Sequence, residues 1–346
     1  MSTDGHYDNI KNYYGKVLSS TKDLKTSACC AAEKPHPIVR QHLLKIPDAV
    51  LSRFYGCGNP VPLGIEGLSV LDLGCGTGRD CYLAAGLVGP KGAVIGVDMT
   101  EEQLKVARDS LPQFEQNIGY KPNMRFVQGF IEALDDIIAP SSIDVCISNC
   151  VINLSPDKEA VLRGVYNALK PGGEFYFSDV YADRRISAHI QSHKVLQGEC
   201  LAGALYIQDF LRLCHKIGFT EPRCLSTSTI DVTDPALSDI CGNIKFYSIT
   251  YRLFKLPELE SICEDYGQVA TYLGTIQGHK HYYDLDDHHR FVTGKPMLVC
   301  GNTADMVGQS WLKRHFKVVG DRSVHFGVFE CGTGKGNDNC AAGPCC

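Results

Sequence analysis

"LDLGCGTG", Leu71–Gly78, carries an apolar run into three glycines at alternate positions. A strand, a tight glycine turn and an immediate helix, here Arg79–Val88, form the opening of a βα unit. Ser69–Leu73 supplies the strand. A second strand, Ala93–Val97, ends at Asp98, and Thr100 then opens a helix with Gln103 in capping-box register. Further out, the pattern predicts strands at Met124–Gln128, Ile143–Ser148 and Glu174–Ser178, and helices at Lys158–Leu169 and Ile207–Lys216. Alternation of this kind implies an α/β fold around a doubly wound, mostly parallel sheet. Lys245–Phe254 (KFYSITYRLF) reads as a last strand, after which periodicity weakens and Gly, His and Asp accumulate.

The chain has 346 residues, enough for about two domains and a full hydrophobic core, so cysteine staples are not needed for folding. Yet it carries 17 cysteines, about twice ordinary usage and below the ~8–10% of a small disulfide scaffold. The first ten residues, MSTDGHYDNI, are polar, and no run of about 18 apolar residues occurs. A cytoplasmic protein with reduced thiols and no membrane partner is expected. A net charge of -5 without basic tracts argues against a nucleic-acid partner. The expected substrate is small.

A glycine-rich turn at the carboxyl end of the first strand marks a ligand crevice, because glycines let backbone amides approach the ligand. Gly74, Gly76 and Gly78 do not have the G-x-G-x-x-G spacing of dinucleotide binders. Asp98, at the end of the second strand, can accept from both hydroxyls of a ribose, so a nucleoside is expected. With "LDLGCGTG", "GVDMT" and "LKPGGEFYFSD" in that order, the region resembles the class I S-adenosylmethionine-dependent methyltransferases. That resemblance implies a Rossmann-like, seven-stranded sheet and S-adenosylmethionine as cofactor. It places Asp72, Gly74, Gly76 and Gly78 around the methionine part, Asp98 on the ribose and Met99 against adenine. Gly129, Phe130 and Ile131 of "QGFIEAL" would line the adenine edge, and Asn149 would border the cofactor. For Met99 and Phe130 the plainer reading is core filling.

Four thiol contexts stand out: "KTSACC" (Cys29, Cys30), "RFYGCG" (Cys57), "SNCVINL" (Cys150) and "LQGECLAGAL" (Cys200). In order from about Tyr13 to Lys255, they make the chain resemble the arsenite methyltransferases. The resemblance implies catalytic cysteines at Cys29, Cys57, Cys150 and Cys200, with Cys30 as the alternative to Cys29. It implies methylation of arsenite or its thiol conjugates, then of monomethylarsenite, in arsenic detoxification, with a dithiol reductant such as thioredoxin or glutathione as partner. Trivalent arsenic is soft and takes three sulfurs in a pyramid with a lone pair at the apex. Cys57, Cys150 and Cys200 could be those ligands, and Cys29 or Cys30 a disulfide relay. A methyltransferase for an organic acceptor would not need these thiols, and a thiol-rich metalloid-binding protein would not need the cofactor motifs.

The expected organisation is a helical cover with relay cysteines (1–60), the cofactor-binding domain (61–240), a smaller C-terminal α+β domain (241–328) and a flexible cysteine-containing tail (329–346). Cys81, Cys146, Cys214, Cys224, Cys241, Cys263 and Cys300 read as buried small hydrophobes. Cys75 reads as packing. "GHKHYYDLDDHHR" is read as a solvated loop, with a metal site through His279, His281, His288 and His289 as the alternative.

Overall fold

The computed structural model describes Tyr7 and residues 35–53, 56 and 58–330. Cys29, Cys30, Cys57 and the tail cysteines, and with them most of the expected cover and tail, lie outside the described residues. Five strands form the parallel part of the sheet: β1 (Ser69–Leu73), β2 (Ala93–Asp98), β3 (Met124–Gln128), β4 (Ile143–Asn149) and β5 (Leu169–Ala182). The two-residue β6 (Leu205–Tyr206) pairs with the end of β5, and β7 (Arg223–Ile230) and β8 (Phe246–Phe254) complete the sheet. The order is β3-β2-β1-β4-β5-β8-β7, with β8 antiparallel to both neighbours. The sheet is thus doubly wound, with β1 and β4 adjacent where the strand order reverses.

Side chains alternate between two apolar layers, as a pleated strand requires. Val70, Val145 and Ile147 face one core, whereas Leu71, Leu73 and Cys146 face the other. Helix α1 (Arg79–Val88) covers the first of these. Tyr272, Phe291, Val299 and Met306 belong to the same layer, so the small strands and the helix after residue 255 share a core with the sheet. β8, the strand read as the last one from the sequence, lies inside the main sheet between β5 and β7. The pattern at Lys245–Phe254 gave the strand itself, and its place in the sheet comes from pairing with β5 and β7.

Two expectations need correction. β5 begins at Leu169, because the Pro171-Gly172-Gly173 stretch stays paired: Gly172 N donates to Lys255 O at 2.8 Å and Lys255 N to Gly173 O at 2.9 Å. Thr100 is the N-cap of the helix Glu101–Asp109 but makes no side-chain capping bond. Its N–H donates instead to Asp98 Oδ1 at 2.8 Å.

Candidate active site

At the carboxyl ends of β1 and β4 a cleft with about 990 Å3 of empty space, its mouth included, opens between the glycine turn and the loop after β4. Gly74 has φ +61°, and a Cβ there would lie 2.4 Å from Val151 Cγ1. Only glycine therefore allows the two loops to touch. Gly76, also left-handed and lining the cleft, has nothing within 4 Å of where a Cβ would stand. Its N–H donates to Asp98 Oδ2 at 2.8 Å. Asp98 thus ties the turn to the end of β2, and burial raises its carboxyl against the hydrogen bonds from Thr100 and Gly76.

Asp72, Gly74, Gly76, Asp98, Met99, Gly129, Phe130, Ile131, Asn149 and Cys150 all line this cleft. Gly78 does not; it is the left-handed N-cap of α1, where a Cβ would lie 2.8 Å from Phe126 Cζ. Several lining residues were not singled out from the sequence. Asp80 accepts from Asn149 Nδ2 at 2.9 Å, and with burial it raises the Asp72 carboxyl well above its ordinary value. Its position in "GRDC", two residues after Gly78 in the first turn of α1, was the available signal. The Tyr7 ring packs on Phe130 with centroids 4.8 Å apart. Nothing in its polar surroundings points to that contact. Asn149 also forms a two-way amide pair with Gly58, accepting from its N–H at 3.1 Å and donating to its carbonyl at 3.0 Å.

Cys150 lines the cleft, and Cys200, which does not, packs behind it with its sulfur on the Cys150 carbonyl. Both are buried and both are left-handed, with φ +57° and +61°. For non-glycine residues this conformation is costly and persists only where the surroundings enforce it. Here the Cys150 N–H donates to Ser178 O at 2.8 Å, and Cys200 Sγ donates to Cys150 O at 3.1 Å. Gly203, in the loop after Cys200, lies so close to Asn153 that a Cβ would fall 1.9 Å from its carbonyl oxygen. A separate apolar cluster, with Val180, Leu196, Leu201 and Phe246, encloses both cysteines. Cys150 is disulfide-bonded.

Lys158 reaches into the same region, donating to Ser155 O at 2.9 Å, with its ammonium depressed by burial and supported by Asp179, Cys200 and Glu132. Asp179 accepts from Asn153 N at 3.1 Å and Asn153 Nδ2 at 2.8 Å, which fixes the loop that follows Cys150. Burial pushes its carboxyl up to about 7. A folded value above the unfolded one, about 4, stabilises the fold fully below the unfolded value, and that contribution is lost as pH rises through about 7. Relative to the parent, Asp179→Asn should therefore gain stability between about pH 4 and 7. Urea unfolding at several pH values measures this; a pH-independent difference would assign the proton elsewhere.

The histidine-rich loop gathers no metal-site geometry beyond one group. Among the described residues only Asp286, Asp287 and His288 converge, and Asp286 is already ion-paired with Arg223 at 2.9 Å.

Residues 65–218 match the family model described as a methyltransferase domain. Over 338 residues, 97% of this chain and 97% of the relative, the sequence is 51% identical to an arsenite methyltransferase of Aquipseudomonas alcaligenes. The chain belongs to the arsenite methyltransferase family. An arsenite methyltransferase of Mus musculus is 44% identical over 312 residues, 89% of this chain and 82% of the relative. The crystal structure of an arsenic (III) S-adenosylmethionine methyltransferase from Chlamydomonas reinhardtii superposes with a TM-score of 0.83 at 59% identity, covering 86% of this chain and 100% of that one.

Membership in the arsenite methyltransferases makes the protein an enzyme with a class I methyltransferase fold and S-adenosylmethionine as cofactor. No helix of the described residues is long and apolar enough to cross a membrane.

Proposed function

We propose that this protein methylates trivalent arsenic, first arsenite or its thiol conjugates and then monomethylarsenite, in the cytoplasm as a detoxification step. The observation that carries the reading is the contact of Cys200 with Cys150, both left-handed, Cys150 itself lining the cofactor cleft. Incubation with arsenite, S-adenosylmethionine and a dithiol, followed by arsenic speciation, tests it. Absence of methylated arsenic would refute it.

The cleft suits the cofactor on its own geometry: Gly76 lines it with open space where a Cβ would stand, and Asp98 and Asp72 line it with carboxylates. Asp98 would hold the ribose, Asp72 with Gly74 and Gly76 the methionine part, and Met99, Gly129, Phe130 and Ile131 the adenine. When bound, S-adenosylmethionine supplies a methyl group attached to a positively charged sulfur. Asn149 positions rather than reacts, through its bonds to Gly58 and Asp80.

Cys57, Cys150 and Cys200 would hold arsenic as thiolates and leave its lone pair uncommitted. The nucleophile is that lone pair, so no side chain has to remove a proton from it. Holding two reactants in position can supply on the order of 7–11 kcal/mol. Methylation takes arsenic formally from trivalent to pentavalent, and two thiolates closing to a disulfide return the two electrons. Cys29 or Cys30 would relay that disulfide, and thioredoxin or glutathione would reopen it by thiolate exchange. The engagement of Cys150 in a disulfide supports the capacity of this thiol for such chemistry.

Asp98→Ala is expected to weaken S-adenosylmethionine binding about 10–150-fold, the equivalent of roughly 1.5–3 kcal/mol for a charge-assisted hydrogen bond. Arsenite binding should persist. Calorimetric titration of each ligand reads both, and an unchanged cofactor affinity would remove Asp98 from the ribose.

A further inference from the structure

Burial raises the thiols of Cys75, Cys81, Cys146, Cys214 and Cys241 above the ordinary value, as expected of apolar filling. Cys300 departs in the opposite direction, to about 5, through a hydrogen bond with Cys263 and, against burial, the Arg223 guanidinium and Thr303. The geometry explains the difference. Cys300 is the N-cap of helix α2 (Gly301–Gln309), and its sulfur accepts from Thr303 N at 3.4 Å. Arg223 donates to Thr303 Oγ1 at 3.0 Å and is itself fully buried. Cys263 and Cys300 form a small cluster of their own, remote in sequence and absent from the lining of the cofactor cleft.

We propose that Cys263 and Cys300 form a second dithiol site, which chelates a soft trivalent metalloid bearing two exchangeable ligands. Two adjacent sulfurs match a trivalent organoarsenical with one bond to carbon. Arsenite asks for a third sulfur, and Glu221 Oε1, 4.0 Å from Cys263 Sγ, is a hard oxygen. Chelation involves no redox change. Each As–S bond replaces an As–OH bond, and the hydroxide leaves as water with the thiol proton, or with a solvent proton where the sulfur is already a thiolate.

Access is through the cover. Phe329 packs on the pair and its N–H donates to Cys263 O at 2.9 Å, beside a ribbon in which Gly327–Val328 pairs with Glu264–Asp265. A ribbon of two residues per strand opens far more readily than the main sheet. The inference does not depend on the methylation proposed above.

Phenylarsine oxide, which hydrates to an arsenical with two As–OH groups, is the probe. It is applied to reduced full-length protein with Cys29, Cys30, Cys57, Cys150 and Cys200 replaced by serine, so that failure of the main site cannot masquerade as failure of this one. Peptide mapping by mass spectrometry should find one arsenic bridging Cys263 and Cys300. Cys263→Ala in that background should lose this bridge and one equivalent of uptake, while leaving the Cys300 cap and the melting temperature in place. Phe329→Ala should speed formation of the bridge about tenfold. Bridging of other thiols without the Cys263–Cys300 bridge, or a bridge whose rate ignores Phe329, would overturn the proposal.

Discussion

Cys150→Ser and Cys200→Ser should each reduce methylation of both arsenite and monomethylarsenite to below about 1% of the parent, whereas Cys57→Ser should abolish only the first. The asymmetry follows from counting arsenic's exchangeable positions. Arsenite has three for thiolates; a trivalent arsenical with one carbon bond has two, which Cys150 and Cys200 would fill under the proposed ligand set. The size of the loss follows from positioning, since orientation is worth on the order of 7–11 kcal/mol and a single remaining thiolate leaves the lone pair free to swing. Loss of both Cys29 and Cys30 should resemble Cys57→Ser. Serine preserves volume but removes the soft ligand and its redox capacity. At Cys150 and Cys200 the left-handed backbone is enforced by bonds to Ser178 O and Cys150 O that a serine can still make, so the fold should survive. Both substrates are assayed on each purified variant with excess dithiol, alongside thermal melts. Equal loss on both substrates in Cys57→Ser would remove it as third ligand; full activity in Cys150→Ser would sink the proposed site.

The largest stability effect is expected at Glu174→Gln, about 3–5 kcal/mol, as for breaking a buried ion pair by removal of one partner. Glu174 on β5 and Arg252 on β8 are both fully buried and meet in a two-point contact at 2.6 and 3.0 Å. Arg252 also donates to Tyr283 OH at 2.8 Å and Leu285 O at 3.0 Å, and Trp311 Nε1 donates to Glu174 Oε2 at 2.7 Å. The pair therefore joins the sheet to the strands and loops that follow residue 255. Glutamine keeps the shape but leaves the guanidinium charge buried without a counter-ion. Urea midpoints read the loss. The double variant Glu174→Met with Arg252→Met should recover much of it, because neither charge then remains. A double variant as unstable as the single would show that the hydrogen bonds to Tyr283, Leu285 and Trp311, rather than charge compensation, hold this seam.

What the sequence settled by itself was local. Ser69–Leu73, Met124–Gln128 and Arg79–Val88 have the predicted bounds, since strand and helix periodicities and the glycine turn are written in neighbouring residues. Gly74, Gly76 and Asp98 were legible as cleft residues because the carboxyl ends of the first two strands place them locally, whereas Asp72 and Asn149, which also line the cleft, were expected there from the resemblance of their motifs. Tertiary structure decided whatever depends on pairing across the chain. β8 enters the main sheet only because its backbone matches β5 and β7. Cys150 and Cys200 acquire left-handed backbones only where their loops press together against Ser178 and Asn153. Cys300, a buried cysteine like the others in sequence, has its thiol pKa lowered only because the fold brings Cys263, Arg223 and Thr303 beside it. A residue type fixes which bonds a side chain can make, but its charge and strain are set by surroundings that the chain assembles from segments far apart in sequence.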